Sequence, residues 1–314
     1  MSSFKIATSR SNVGILNFNA RVNLKATIWF SLAFSSSSAK FSFTNYCIVV
    51  PLTMKMNLPL FLRVSSDLLT VILLHAVYFL IKSFGSHKWS FFCDDWSIKY
   101  PYKDNTITDV VLTIFSYLTP LITIFIVEIS TALHKKYSGN KSLSIRSALP
   151  FVYDFCVAAL ISLGIAAFLT TLTKYYLGRL RPHFWAICKP NVSVNCTGLQ
   201  TVYTCEGDNQ QLIGDAFLSF MSGHASTASA GLFFTVIYLQ ARLQLSLVPF
   251  LRPFLQYVLL AFLFYVCATR VTDHYHHPTD VLAGAILGFS SSVFAFFWYL
   301  GHVFGQNGCV KSSP

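Results

Sequence analysis

The sequence predicts an all-α integral membrane protein, a bundle of six transmembrane helices with both termini cytoplasmic. Three observations predict it. The 314 residues are 54% hydrophobic and only 11% charged, with 30 Phe, whereas an average soluble domain carries about 25% charged residues. The mean hydropathy is +0.55. Six stretches are apolar over the roughly 20 residues that a helix needs to cross the hydrocarbon, and basic residues gather in alternate loops. This composition excludes a cytosolic globular enzyme, a disordered chain, and a collagen-like or coiled-coil rod. A net charge of +11 would by itself suggest an acidic partner, but its distribution along the chain says more.

The predicted spans are 64–84, 110–129, 151–172, 223–243, 248–268 and 281–304. The first is interrupted by Asp67 and Lys82. The fourth is rich in small residues, with Ala225, Ser226, Ala228, Ser229, Ala230 and Gly231, which let helices approach closely in lipid. The runs are continuous and not alternating, which argues against a β-barrel. Residues 1–63 read as a basic, Ser-rich and mostly disordered cytoplasmic tail without acidic residues, a bias shared by mitochondrial transit peptides. Residues 64–304 form the membrane domain, and 305–314 a short cytoplasmic tail.

Orientation follows from Lys and Arg. The segment before the first span holds Lys5, Arg10, Arg21, Lys25, Lys40, Lys55 and Arg63. On the same side fall Lys135, Lys136, Lys141, Arg146, Arg242, Arg252 and Lys311. The opposite loops carry eight basic residues mixed with most of the acidic ones, so the first set is predicted to be cytoplasmic. Two glycosylation sequons, at Asn191 and Asn195, fall in the third, external loop, where they can be used. A sequon at Asn140 falls inside. The same external loop holds Cys188, Cys196 and Cys205, of which Cys188 and Cys196 make the simplest disulfide pair.

Ionisable residues cluster where three helices should emerge outside. Lys174 and Arg181 are seven apart, two turns on one face if the third helix continues to Pro182. Two fixed cations suit a phosphate dianion, and a guanidinium can bind two oxygens at once. Ser222, Gly223 and His224 stand at the start of the fourth helix. There free N–H groups and the helix dipole favour an anion, and His224 can exchange a proton near neutral pH. Arg270, Asp273, His274, His276, His277 and Asp280 lead into the sixth. His276 and Asp280 are four apart, so the carboxylate can accept from one ring nitrogen and leave the other nucleophilic. The crowded histidines also raise a metal site, but no His-x-x-x-His spacing or paired Cys supports one, so no metal is expected.

In this order, Lys-x6-Arg-Pro, Ser-Gly-His and Arg-x5-His-x3-Asp resemble the lipid phosphate phosphatase family, also called type 2 phosphatidate phosphatases. The stretch FFCDDWSIKYPYK at 91–103 looks like a segment of its lipid-specific branch. The resemblance covers residues 64–304. It implies a phosphomonoesterase without cofactors in which His276 forms a phosphohistidine oriented by Asp280. His224 would protonate the leaving alkoxide and then activate water. Lys174, Arg181, Ser222, Gly223 and Arg270 would hold the phosphate oxygens. Candidate substrates are phosphatidate, lysophosphatidate, sphingosine 1-phosphate and ceramide 1-phosphate, which gives a role in phospholipid metabolism and lipid signalling.

The sequence departs from the family pattern at Met221, where Pro is usual, and at Thr269, where Ser is usual. The partners expected are membrane lipid phosphates and the bilayer, with a homo-oligomer left open and no nucleic acid. The expected location is the plasma membrane with the site facing outside, the alternative being endoplasmic reticulum or Golgi with the site facing the lumen. Two rival functions remain: a catalytically silent lipid-binding scaffold, motivated by Met221, and a phosphatase or phosphotransferase with a soluble or lipid acceptor. Glu128, Asp154, His75 and His302 read as packed or interfacial residues. No second path of intramembrane charge suggests a transporter or channel.

Overall fold

The computed structural model describes residues 58–82, 89–137, 148–193, 195–243, 245 and 247–299. The expectations for most of the N-terminal tail, for the C-terminal tail, for the Asn140 sequon and for His302 lie outside these residues. Helix α1 spans Leu58–Lys82, so it begins ahead of the predicted start at 64. Helix α2 runs from Asp109–Thr113 through a π-helical stretch at Ile114–Leu118 into Thr119–Tyr137. Helix α3 is Leu149–Leu177, with a proline in its first turn where a missing N–H costs nothing. The short α4 (Phe184–Cys188) and α5 (Gln210–Asp215) follow. Helix α6 comprises Gly223–Ala228, a π-helical stretch at Ser229–Phe233, and Phe234–Arg242. Helices α7 (Leu251–Thr272) and α8 (Pro278–Phe294) complete the bundle.

Among the described residues, five helices are long and apolar enough to cross a membrane: Leu60–Ile81, Asp109–His134, Leu149–Leu177, Leu251–Thr272 and Pro278–Trp298. Their outward faces present large apolar side chains such as Leu69, Ile72, Phe125, Phe254, Phe264 and Ile286. Contiguous apolar surface of this extent is untenable in water and natural in lipid. The predicted fourth span is helical as α6, but its small and hydroxyl-bearing residues face inward. Ser222, Ser226, Ser229, Ala228 and Ala230 are all buried.

Helix α3 lies at the centre and packs against α1, α2, α6 and α8. The α6–α8 contact is a close one. A Cβ on Gly284 would meet the Ser222 carbonyl, and one on Gly288 would collide with the Ser226 carbonyl. Only glycine lets α8 approach this near. Ser292 then donates to the Ala230 carbonyl at 2.9 Å, and Thr170 of α3 to Ser226 at 2.8 Å. These contacts fix the start of α6 against α3 and α8, which is where the motif residues stand. At the opposite end, Glu128 accepts both Arg242 Nε and Nη2, at 2.8 and 2.7 Å, and the Tyr238 hydroxyl at 3.0 Å. Asp154 pairs with Arg63.

Residues 89–108, 178–193 and 195–222 form a cap over one end of the bundle. Among the described residues, the cap alone departs from an all-α architecture. Strand β1 (Phe91–Phe92) pairs antiparallel with β2 (Leu199–Gln200), with Phe91 opposite Gln200. Phe91, Ile98, Phe184, Ile213 and Phe217 pack beneath the ribbon. The disulfides differ from the sequence expectation. Cys188 bonds to Cys205 and not to Cys196, and Cys196 bonds instead to Cys93. The expectation weighed only the three cysteines of one loop. The ribbon brings Cys93, 103 residues away in the chain, to a Cα–Cα distance of 5.7 Å from Cys196. Asn191 and Asn195 are exposed on this cap.

Candidate active site

Helix α3 ends at Leu177 because Gly178 adopts a left-handed conformation (φ 59°), its N–H capping the Lys174 carbonyl at 3.0 Å. The helix therefore does not continue to Pro182, and Lys174 and Arg181 do not share a helical face. A turn carries Arg181 back instead, and its N–H donates to the Ala216 carbonyl at 2.8 Å. The Arg181 guanidinium is buried and pairs with Asp215 at 3.0 Å. Its Nε–H is buried without a hydrogen-bond partner among the described residues. Lys174 Nζ donates to the Leu218 carbonyl at 3.1 Å.

Ser222 is the N-cap of α6, its hydroxyl accepting from Ala225 N at 3.4 Å. A Cβ on Gly223 would lie 3.7 Å from Lys174 Cε, so the Lys174 stem lies against the start of α6. The ammonium thus lies beside the N-terminus of α6, the end of a helix that favours an anion. The Ile107 carbonyl accepts the Nε2–H of His224 at 2.9 Å, which leaves its Nδ1 to exchange a proton. Arg270 is fully buried at the end of α7. It donates to Asn105 Oδ1 at 2.7 Å, to Thr269 Oγ1 at 3.1 and 3.2 Å, and to Asp273 at 3.3 Å. Thr269, where Ser is usual, supplies the hydroxyl for that contact.

His276 is 3% exposed, and its Nδ1 lies 2.7 Å from the Ser219 carbonyl. A carbonyl can only accept, so Nδ1 carries the proton and Nε2 the lone pair. Burial, then the nearby charges of Lys174 and Arg181 and the His224 ring, push His276 well below the usual histidine range. It is a neutral imidazole among cations.

Asp280 does not touch His276, contrary to the spacing argument. Helix α8 starts only at Pro278, so His276 lies before it and the i, i+4 geometry does not apply. The Asp280 carboxylate instead accepts from Ser219 Oγ at 2.6 Å, from His277 N at 3.1 Å, and from Arg179. Sequence reasoning missed Ser219, Arg179 and Asn105 as parts of the site, and named Asp273 in the third cluster without giving it a role. Arg179 lay inside the first motif, and Asn105 lies two residues beyond the stretch 91–103. That stretch and the residues just after it form a strap. Lys103 and Thr106 bind the buried Asp273 carboxylate at 2.9 Å each, and the Pro101 carbonyl meets His274 at 3.1 Å.

Two buried histidines stand near Lys174, Arg181 and Arg270 at one end of an apolar helical bundle. The PAP2 superfamily profile matches residues 155–303. The chain is 37% identical over 208 residues to phospholipid phosphatase 2 of Mus musculus, covering 64% of this chain and 72% of that one. Phospholipid phosphatase 1 of Mus musculus is 37% identical over 204 residues, covering 64% and 71%. A Drosophila melanogaster protein provisionally named a phosphatidate phosphatase is 32% identical over 263 residues, covering 77% and 69%. No solved structure matches the chain. The chain belongs to the PAP2 superfamily and, within it, to the lipid phosphate phosphatases. It is an integral membrane phosphatase.

Proposed function

We propose that the protein hydrolyses lipid phosphomonoesters through a phosphohistidine at His276, on the extracellular or luminal face. The observation that carries this is the Ser219 carbonyl on His276 Nδ1, which leaves the lone pair on Nε2 of a ring close enough to Lys174, Arg181 and His224 to feel their charge. Phosphoryl transfer depends mostly on positioning and charge stabilisation. In the first step Nε2 bonds to phosphorus and the P–O ester bond breaks. The departing alkoxide takes the Nδ1 proton of His224, which enters this step protonated on both ring nitrogens, and leaves as the lipid alcohol. In the second, water gives a proton to His224 and bonds to phosphorus, the P–N bond breaks, and inorganic phosphate leaves. Lys174, Arg181, Ser222, Gly223 and Arg270 hold the phosphate oxygens throughout.

Phosphatidate, lysophosphatidate, sphingosine 1-phosphate and ceramide 1-phosphate all place a monoester at the membrane surface. A site at the helix ends lets their tails stay in the bilayer. The topology read with this is six spans, α6 being the inner one, with both termini cytoplasmic and Asn191 and Asn195 glycosylated. The distribution of Lys and Arg and the exposure of both sequons support it. The deciding experiment is phosphate release from phosphatidate and lysophosphatidate in detergent micelles, with EDTA present, by wild type and His276→Ala. Release by wild type that vanishes in the variant is expected. No release by wild type from any of the four lipids would end this reading. A glycosidase-sensitive mass shift that disappears in the double variant Asn191→Gln, Asn195→Gln tests the orientation.

A further inference from the structure

Tyr275 lies between two motif residues and has no part in the chemistry above. Its ring is 6% exposed, and two guanidiniums share it. Arg181 Cζ is 5.2 Å from the ring centroid and Arg270 Cζ is 5.7 Å. Both fall within the roughly 6 Å at which a cation is attracted to an aromatic face. His183 packs edge-on at 4.8 Å, and the Tyr275 hydroxyl donates to the Tyr102 hydroxyl at 3.2 Å, so the ring is clamped. Burial first, then the bond to Tyr102, raises the phenol above its ordinary range, so the ring stays neutral. Two arginines required to face one phosphate repel each other before the phosphate arrives. A ring whose electron-rich face attracts both offsets that repulsion and fixes their separation.

We propose that Tyr275 is the positioning residue that holds Arg181 and Arg270 in phosphate-binding geometry. This rests on the reading that those two arginines bind the substrate phosphate. It predicts an effect on phosphate affinity larger than that on turnover.

The test uses the full-length protein in detergent, with orthovanadate as the probe, by calorimetric titration and by inhibition of phosphatidate hydrolysis. Tyr275→Met, close in size but without a ring, should weaken orthovanadate binding about tenfold, as expected for losing two buried cation–ring contacts. KM should rise in parallel while kcat changes far less. Tyr275→Phe should restore most of the affinity. If the Met variant does not fold, a pentafluorinated phenylalanine at position 275 keeps the shape while reversing the ring's electrostatics, and it should show the same loss. Wild-type affinity in the Met or fluorinated variant overturns the proposal. Equal loss in Tyr275→Phe also overturns it, because the hydroxyl and not the ring would then carry the effect. Titration reads the cradle without turnover. Wild type that binds orthovanadate but hydrolyses nothing therefore sinks the proposed function while still testing Tyr275. Wild type that binds none takes both down.

Discussion

Ser219 Oγ donates to Asp280 Oδ2 at 2.6 Å, while the carbonyl of the same serine accepts from His276 Nδ1 at 2.7 Å. The carboxylate therefore acts on the imidazole only through this serine, and Arg179 pins it from the other side. Outer partners of metal-binding histidines are typically worth about 10–100-fold, and the same order is expected for a histidine held to attack phosphorus. Asp280→Asn should lower kcat within that range with little change in KM. Ser219→Ala keeps the carbonyl and should cost less. Because both act through one linkage, the double variant should be no worse than Asp280→Asn alone. Fully additive losses in kcat would show that the two residues act separately.

Acid should destabilise the fold through His183. Burial, then the Arg181 charge beside it, lower its pKa from 6.5 to about 4. The unfolded chain takes up this proton near pH 6.5, and the folded chain only near 4. As pH falls through that window the unfolded state binds more protons, so stability is lost. Above it this group contributes no slope. His276, also lowered, adds the same sign. Melting in detergent should drop by about 5 °C or more between pH 7 and 5, and by less in His183→Phe. A melting point that is flat or rises on acidification would refute this.

The bundle was legible because period and length speak directly in a membrane chain: five of the six predicted runs meet the span criteria. The three motifs were legible because their residue types are costly outside a functional site. What failed was geometry that depends on where a helix stops. Gly178 ends α3 before Arg181, and Pro278 starts α8 after His276, so both spacing arguments assumed a helix that is absent. Ser219 acts through its carbonyl, and no residue type announces that. Cys93 meets Cys196 across 103 residues and Asn105 meets Arg270 across 165, through a segment whose two-residue ribbon is too short to be read in the sequence.

The disulfide pairing gives a direct chemical test. Non-reducing digestion should yield linked peptides joining Cys93 to Cys196 and Cys188 to Cys205, and none joining Cys188 to Cys196. The first bond spans 103 residues and the second 17. On the chain-entropy account the longer loop gains more, about 4.7 against 3 kcal/mol. Cys93→Ser should therefore lower the melting temperature more than Cys205→Ser. It should also raise KM, since it frees the segment that carries Asn105 and Ile107 to Arg270 and His224. A Cys188–Cys196 peptide would disprove the arrangement of the cap.

Asn105 lies outside the stretch matched by the superfamily profile, yet its Oδ1 takes the shortest hydrogen bond that Arg270 makes, at 2.7 Å. Asp273 already offers Arg270 a carboxylate at 3.3 Å. An amide at position 105 thus orients the guanidinium without cancelling more of its charge, which the proposed mechanism uses on the substrate phosphate. Asn105→Ala should lower kcat/KM about tenfold, the usual worth of a hydrogen bond to a charged group. Asn105→Asp restores an acceptor of the same shape but adds a second negative charge beside Arg270. It should weaken orthovanadate binding more than the alanine variant does, because the new carboxylate competes with the phosphate and repels it. The expected order of affinity is wild type, then Asn105→Ala, then Asn105→Asp. If Asn105→Asp binds orthovanadate as well as wild type, orientation alone matters at this position, and Arg270 does not deliver its charge to the phosphate.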